Sequence, residues 1–220
     1  MKLGFICINA SGHLNQDRNH EVIFLYSSDA AGVPVFPVER NSAEQNATQK
    51  AIAEVSKMQG EDALEFGVKT IIGLTESILN SLPATVAKTG VEALLIDTVH
   101  LYAELGAIEL GIPYIHVSNA MYHDYSGYTP LWPYEDTEDA ITRNREGVAR
   151  FARMLERNRA GVERYAERVG LKVDWADLSS TISPLASITQ VPRAFDFESS
   201  HWRKSSTTPV PFTTAWVGPR

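Results

Sequence analysis

The sequence is short of the features that mark several large classes of protein. It has a single cysteine, Cys7, in 220 residues, so no disulfide can close within the chain, and its place in an apolar run suits a buried small hydrophobe. No apolar stretch approaches the roughly 18 residues needed to cross a bilayer. The opening Met1-Lys2-Leu3-Gly4-Phe5-Ile6 runs straight into strand-like sequence, without the long apolar region or small-residue cleavage site of a secretory signal. Basic residues are outnumbered, 20 Lys and Arg against 27 Asp and Glu, giving a formal net charge of −7. Binding to nucleic acid or to an anionic membrane would need a basic face, and this balance supplies none. Internal repeats are absent, as are a G-x-S-x-G elbow, a P-loop and a G-x-G-x-x-G motif, which weighs against an unrelated α/β hydrolase or nucleotide binder. The chain reads as cytosolic.

What is present is an ordinary globular balance. Hydrophobic residues make up 44% and charged residues 21%, with the charges interspersed rather than blocked. The length suits one α/β domain, or one domain plus a tail. Leu3–Asn9 and Glu21–Ser27 are short apolar runs of the kind that form strands buried on both faces, and Val35–Val38 is a shorter third. Residues 43–60 and 61–82 carry helical spacing, with Leu64, Val68, Ile71, Ile72, Thr75, Ile78, Leu79 and Leu82 on one stripe, and Pro83 is expected at a helix end or kink.

The centre is the most legible part. Ala93–Asp97 (ALLID) predicts a buried strand, His100–Leu110 a helix stopped by Gly111, and Pro113–Val117 the next strand. Strand, helix and strand with short joins make a βαβ unit, which demands a parallel sheet. Tyr122–Tyr134 reads as a long loop rich in Tyr, Pro, Gly and Trp, residues 142–169 as one charged amphipathic helix, and Pro184–Gln190 as a last strand.

Ligands of parallel sheets gather at the carboxyl ends of the strands. Two residues there can carry chemistry. His13, in Ser11-Gly12-His13 after the first strand, is placed either to take a proton from a hydroxyl or merely to cap the next helix. Asp97 either orients such an imidazole or caps the helix after it. Of the other histidines, His100 reads as solvent-facing or locally paired and His116 as a satisfied core residue. No His pair has a metal-ligand spacing with Cys or Glu, so no metal is expected. The Tyr122–Tyr134 loop is either an aromatic wall for an apolar ligand or a packed loop over a helix.

At this point the residues match a family. SGHLN around His13, the NHEVIFLYSS strand, and LLIDTVHLYAELGAIELGIPYIHVSNA around Asp97 resemble the N-terminal, acceptor-binding domain of UDP-dependent glycosyltransferases of the GT-B fold. These enzymes glucosylate macrolides, carotenoids and plant secondary metabolites. The resemblance runs from Met1 to about Trp202. It implies a Rossmann-like parallel sheet flanked by helices, His13 as general base toward an acceptor hydroxyl, and Asp97 as its partner. It further implies a small-molecule acceptor held near Gly12, Thr98, Asn119, Tyr122, Tyr125 and Trp132. The donor would be a UDP-sugar, the transfer inverting, and no metal or other cofactor would be required.

Two departures shape the expected organisation. Where the family carries a full first crossover helix, residues 14–20 leave room for about a turn. After Phe195-Asp196-Phe197-Glu198 the family's linker is replaced by SSTTPVPFTTAWVGPR. A back-translation of this tail, read one frame over, resembles that linker, and the expectation is a frameshift after about Lys204. Residues 1–204 are thus expected to form the acceptor domain and 205–220 an irregular tail, with the donor domain absent. The leading expectation is a glycosyltransferase by descent that is inactive alone. The alternative is a non-catalytic acceptor-binding module that works with a separate donor-binding chain, or self-associates through an exposed inter-domain face.

Overall fold

The computed structural model describes residues 2–7, 22–24, 47–118, 125 and 138–189. Its strands are β1 (Leu3–Ile6), β2 (Val22–Phe24), β3 (Ala93–Asp97), β4 (Tyr114–Ser118) and β5 (Ser187–Thr189). Its helices are α1 (Ala47–Val55), α2 (Gly60–Thr89), α3 (Glu104–Leu110), α4 (Glu138–Asn158) and α5 (Ala160–Arg168). The strands form one sheet in the order β2-β1-β3-β4-β5, and every pair is parallel. The expected α/β class and parallel sheet are observed.

Side chains alternate across a strand, so each strand contributes to two layers. On one face Ile6, Leu94 and Ile96 pack with Ile78, Leu82, Ala103 and Ala107 of the helical side. On the other face Phe5, Cys7 and Val117 form a separate cluster with Leu3 and Leu95. A third cluster joins the helices themselves, where Val68, Ile72 and Leu79 of α2 meet Leu105, Met154, Leu155, Val162 and Tyr165.

Several elements differ from the sequence-based expectation. Pro83 does not end its helix: α2 continues through it to Thr89 and stops at Gly90, whose φ of 68° is left-handed. The Gly90 N–H donates to Val86 O at 2.8 Å, a glycine cap. A proline within a helix costs about 3 kcal/mol. Here buried Ile78, Leu79 and Leu82 lie before it and Val86 and Thr89 pack after it, so burial outweighs the lost hydrogen bond. The expected helix from His100 begins only at Glu104. Residues 98–103 are turn and bend, and Tyr102 adopts φ 69°, which no α-helix tolerates. The single helix expected over 142–169 is two, interrupted at Arg159, whose backbone sits at φ −89°, ψ 8°. The shortened crossover at 14–20, Val35–Val38 and the tail at 205–220 lie outside the described residues. No described helix is long and apolar enough to cross a membrane.

Candidate functional site

The order of the strands locates the site. The chain moves outward from β1 to β2, then returns to the other side of β1 for β3, so the direction of winding reverses between β1 and β3. In open parallel sheets, ligands bind outside the carboxyl ends of the strands flanking such a reversal. Those ends are Cys7 and Asp97.

Asp97 ends β3 at 3% exposure, two residues beyond Leu95 and therefore on the same face as Phe5, Cys7 and Val117. Its Oδ1 accepts from the Val99 N–H at 3.1 Å, and its carbonyl accepts from the His100 N–H at 2.9 Å, which fixes the turn after β3. It does not cap α3, which starts seven residues later with Ala103 as a cap lacking any side-chain bond. Its charge is felt next door: burial first, and the Asp97 carboxylate second, push the Cys7 thiol up to about 12. Cys7 is thus the inert, buried residue its setting suggested, and its sulfur is not a nucleophile near neutral pH.

On the helical face of the same edge lies a cavity of about 120 Å³. Thr98 and Tyr125, both expected to contact an acceptor, line it, as do His100, Glu104, His116 and Ser118. Tyr125 has φ 56° and stacks on Phe151 at 6.3 Å with rings 7° from parallel. The proposed base His13 lies outside the described residues, as do Gly12, Asn119, Tyr122 and Trp132.

The polar floor of this cavity was missed in the sequence. Glu104 is 5% exposed and His116 6%. The Ser183 N–H donates to His116 Nδ1 at 3.2 Å, so the imidazole proton sits on Nε2, which faces Glu104 Oε2 at 3.6 Å. The Thr181 hydroxyl donates to the other oxygen of Glu104. Tyr114 donates to Thr181 O at 3.0 Å, and its phenol is raised to about 12, chiefly by burial and then by Glu104. His116 is a partnered core residue, as expected, but one that faces a cavity. His100 is not solvent-facing: at 2% exposure it is enclosed where β3 turns toward α3. The available signal for Glu104 was its neighbours, since Ala103, Leu105, Gly106 and Ala107 leave it no polar face to share. Among the described residues no group of three His, Cys, Asp or Glu side chains is placed to hold a metal ion.

Comparison with known proteins gives the same architecture. No family model matches the chain. Over 193 residues the chain is 25% identical to a zeaxanthin glucosyltransferase from Pseudescherichia vulneris, a match covering 82% of this chain but 44% of that enzyme. Among solved structures, the glycotransferase of kitacinnamycin superposes with a TM-score of 0.51 at 17% identity, covering 90% of this chain and 47% of that one. A glycosyltransferase of Streptomyces sp. SF2575 gives 0.46 at 18% identity, covering 88% and 51%. The chain thus spans about half the length of the proteins it matches. Its fold is the N-terminal half of a GT-B glycosyltransferase, and in sequence it is similar to that family over most of its length.

Proposed function

We propose that residues 1–204 are the acceptor-side half of a glycosyltransferase that moves a hexose from a UDP-sugar to a hydroxyl of a lipophilic or phenolic acceptor. The observation that carries this reading is Asp97, a buried carboxylate at the carboxyl end of β3 beside the reversal in strand order. In the proposed mechanism, His13 takes the proton of the acceptor hydroxyl as oxygen attacks the anomeric carbon. Asp97 holds the imidazole in the right tautomer and stabilises the imidazolium that forms. The UDP leaves from the opposite side of the anomeric carbon, so configuration inverts.

Transfer also needs the donor held in line with the acceptor. Orientation of this kind supplies on the order of 7–11 kcal/mol of barrier lowering, and this reading assigns it to a second, donor-binding half. A cytosolic setting belongs to the same reading, since UDP-sugars are its substrate. The test is to incubate the 220-residue chain with UDP-glucose and a panel of flavonoid, macrolide and carotenoid alcohols. It is run alone and with a separately supplied donor half of a similar enzyme, while acceptor binding to the chain is measured by calorimetry. Acceptor binding by the chain with product only in the presence of the donor half is expected. Rapid product formation by the chain alone would overturn the division of labour, and no binding of any alcohol would overturn the acceptor assignment.

A further inference from the structure

Two tyrosines on the cleft of the helical face carry backbone strain. Among the described residues, Tyr102 at φ 69° and Tyr125 at φ 56° are the non-glycine positions with positive φ, and both line the cleft. In that region Cβ crowds the following carbonyl oxygen, and tyrosine lacks the short polar side chain that lets asparagine or aspartate sit there. Such strain persists only where the surroundings over-determine it. Each tyrosine is met by an aromatic ring that does not itself line the cleft. Trp175 meets Tyr102 edge-on at 5.6 Å, and Phe151 of α4 stacks on Tyr125 at 6.3 Å with rings 7° from parallel.

The two tyrosines differ in what a ligand can reach. Tyr102 is 7% exposed and precedes the start of α3, so its role lies within the fold. Tyr125 is half-buried, with Phe151 stacked against it. Phe151 and Leu155 share one face of α4 at i, i+4 spacing, and Leu155 lines the cleft. Thus α4 forms one part of the wall directly and holds another in place through the Phe151 ring. The stack fixes the plane of the Tyr125 ring before any ligand arrives. A planar ligand ring then gains an offset-stacked or edge-on contact without the cost of ordering that wall, which a puckered ligand of equal bulk does not. We propose that Tyr125 selects a planar aromatic ring in the acceptor, and that Phe151 is the positioning residue that holds it to that task. This rests on the acceptor-side reading for what occupies the cleft, and narrows its lipophilic or phenolic acceptor to a phenolic one.

The test measures binding to the full chain by calorimetry, with no donor present. The probes are 2-naphthol and decahydro-2-naphthol, which keeps the carbon skeleton and hydroxyl but loses the flat ring. The parent chain is expected to bind 2-naphthol about two- to tenfold more tightly, the range for a stacked aromatic pair. Phe151→Leu should bring the two probes within about twofold of each other, with the amides of β3 and β4 still protected from exchange. Phe151→Tyr, which keeps a ring, should retain the preference. No preference in the parent, an unchanged preference in Phe151→Leu, or a Phe151→Tyr chain that behaves as Phe151→Leu would each overturn the proposal. Tyr125→Gly and Tyr125→Ala test the strain itself. Both remove the ring, and glycine accepts positive φ freely where alanine does not, so Tyr125→Gly should have the higher urea midpoint. The reverse order would show an unstrained backbone and overturn the preorganised wall. Failure of the parent to bind 2-naphthol at all would overturn it too, while transfer to a non-aromatic alcohol would still support the glycosyltransferase reading. Preferential binding of 2-naphthol with no transfer to any alcohol, even with the donor half supplied, would count against that reading and leave the Tyr125 wall standing.

Discussion

Asp97 and His116 lie one rung apart on neighbouring strands, and their side chains occupy opposite faces of the sheet. Asp97 pairs with Val117 and His116 with Ile96, so each shares its partner's face. One edge of the sheet therefore carries two separate polar centres. The carboxylate proposed to serve catalysis sits with Cys7 on one side, and the Glu104–His116 floor sits against α3 on the other. Substitutions on the Asp97 side should alter chemistry, and those at the Glu104–His116 floor the packing of α3 on the sheet.

Asp97→Asn is the cleanest probe of the first centre. The amide oxygen of asparagine can still accept from the Val99 N–H, so the turn survives while the charge is lost. Unfolding temperature should change little. Transfer by the two halves together should fall about 10²–10⁴-fold, the range for a positioned acid–base group and its orienting carboxylate. Asp97→Ala should add about 1 kcal/mol of destabilisation from the lost turn bond. Parental turnover in Asp97→Asn, measured by product formation, would remove Asp97 from the mechanism.

Alkaline sensitivity is a consequence of the buried acids. Burial, with Asp97 second, raises Cys7 from 9.0 to about 12, and burial, with Glu104 second, raises Tyr114 from 10.0 to about 12. Tyr102 and Tyr165 are also raised, again chiefly by burial. In each case the fold prefers the protonated form. The stability this represents is complete below the unfolded values, near pH 9 for the thiol, and is lost as pH climbs toward about 12. For Cys7 the slope is at most about 1.4 kcal/mol per pH unit. Urea midpoints measured from pH 8 to 11 should decline above pH 9, and Cys7→Ala should flatten part of that decline. A midpoint constant to pH 11 would contradict the burial assigned to these groups.

The legible parts of the fold were those where short-range pattern and tertiary context agree. ALLID is apolar at every position before its carboxylate, which suits a strand covered on both faces, and it forms β3 as expected. The helix–strand alternation fixed the parallel sheet because such connections leave few alternatives. The sequence could not reveal that Pro83 lies inside α2, because the compensating burial of Leu79 and Leu82 comes from other elements. Nor could it show Thr181 beside Glu104, since it is 77 positions away and an ordinary loop residue in isolation. Periodicity registers which side of a helix is apolar; it carries no record of which distant hydroxyl meets it.

Two glycines should respond oppositely to the same substitution. A Cβ on Gly106 would lie 2.5 Å from Leu82 Cδ2, and Leu82 is fully buried in the core between α2 and the sheet. Overpacking costs about 1–3 kcal/mol, partly offset by the roughly 0.5–1 kcal/mol that alanine gains over glycine in a helix. Gly106→Ala should therefore destabilise. A Cβ on Gly161 would instead meet the carboxylate of Glu76, the far end of a flexible side chain that can swing aside. Gly161→Ala should be neutral or slightly stabilising. Denaturant titration of both variants is decisive, and the reverse order would mean the α2–α3 contact is looser than described.

The break at Arg159 ties the helical layer to the turn after Asp97. Arg159 is 7% exposed. Its Nε donates to Glu163 Oε1 at 2.8 Å, its Nη1 to Trp175 O at 3.2 Å, and its guanidinium lies 5.1 Å from the centre of the Trp175 ring. The Trp175 ring in turn meets the Tyr102 ring edge-on at 5.6 Å. Tyr102 holds the left-handed backbone that delays the start of α3, so the guanidinium fork braces the turn carrying Thr98 and His100 through Trp175. Lysine cannot supply the same planar set of donors. Arg159→Lys should cost about 1–3 kcal/mol, since Glu163 is partly exposed and can return to water. It should also speed hydrogen exchange at residues 98–103 more than in β3 or β4. If exchange rises uniformly, or not at all, the brace acts on the α4–α5 junction alone and the turn is held by Asp97.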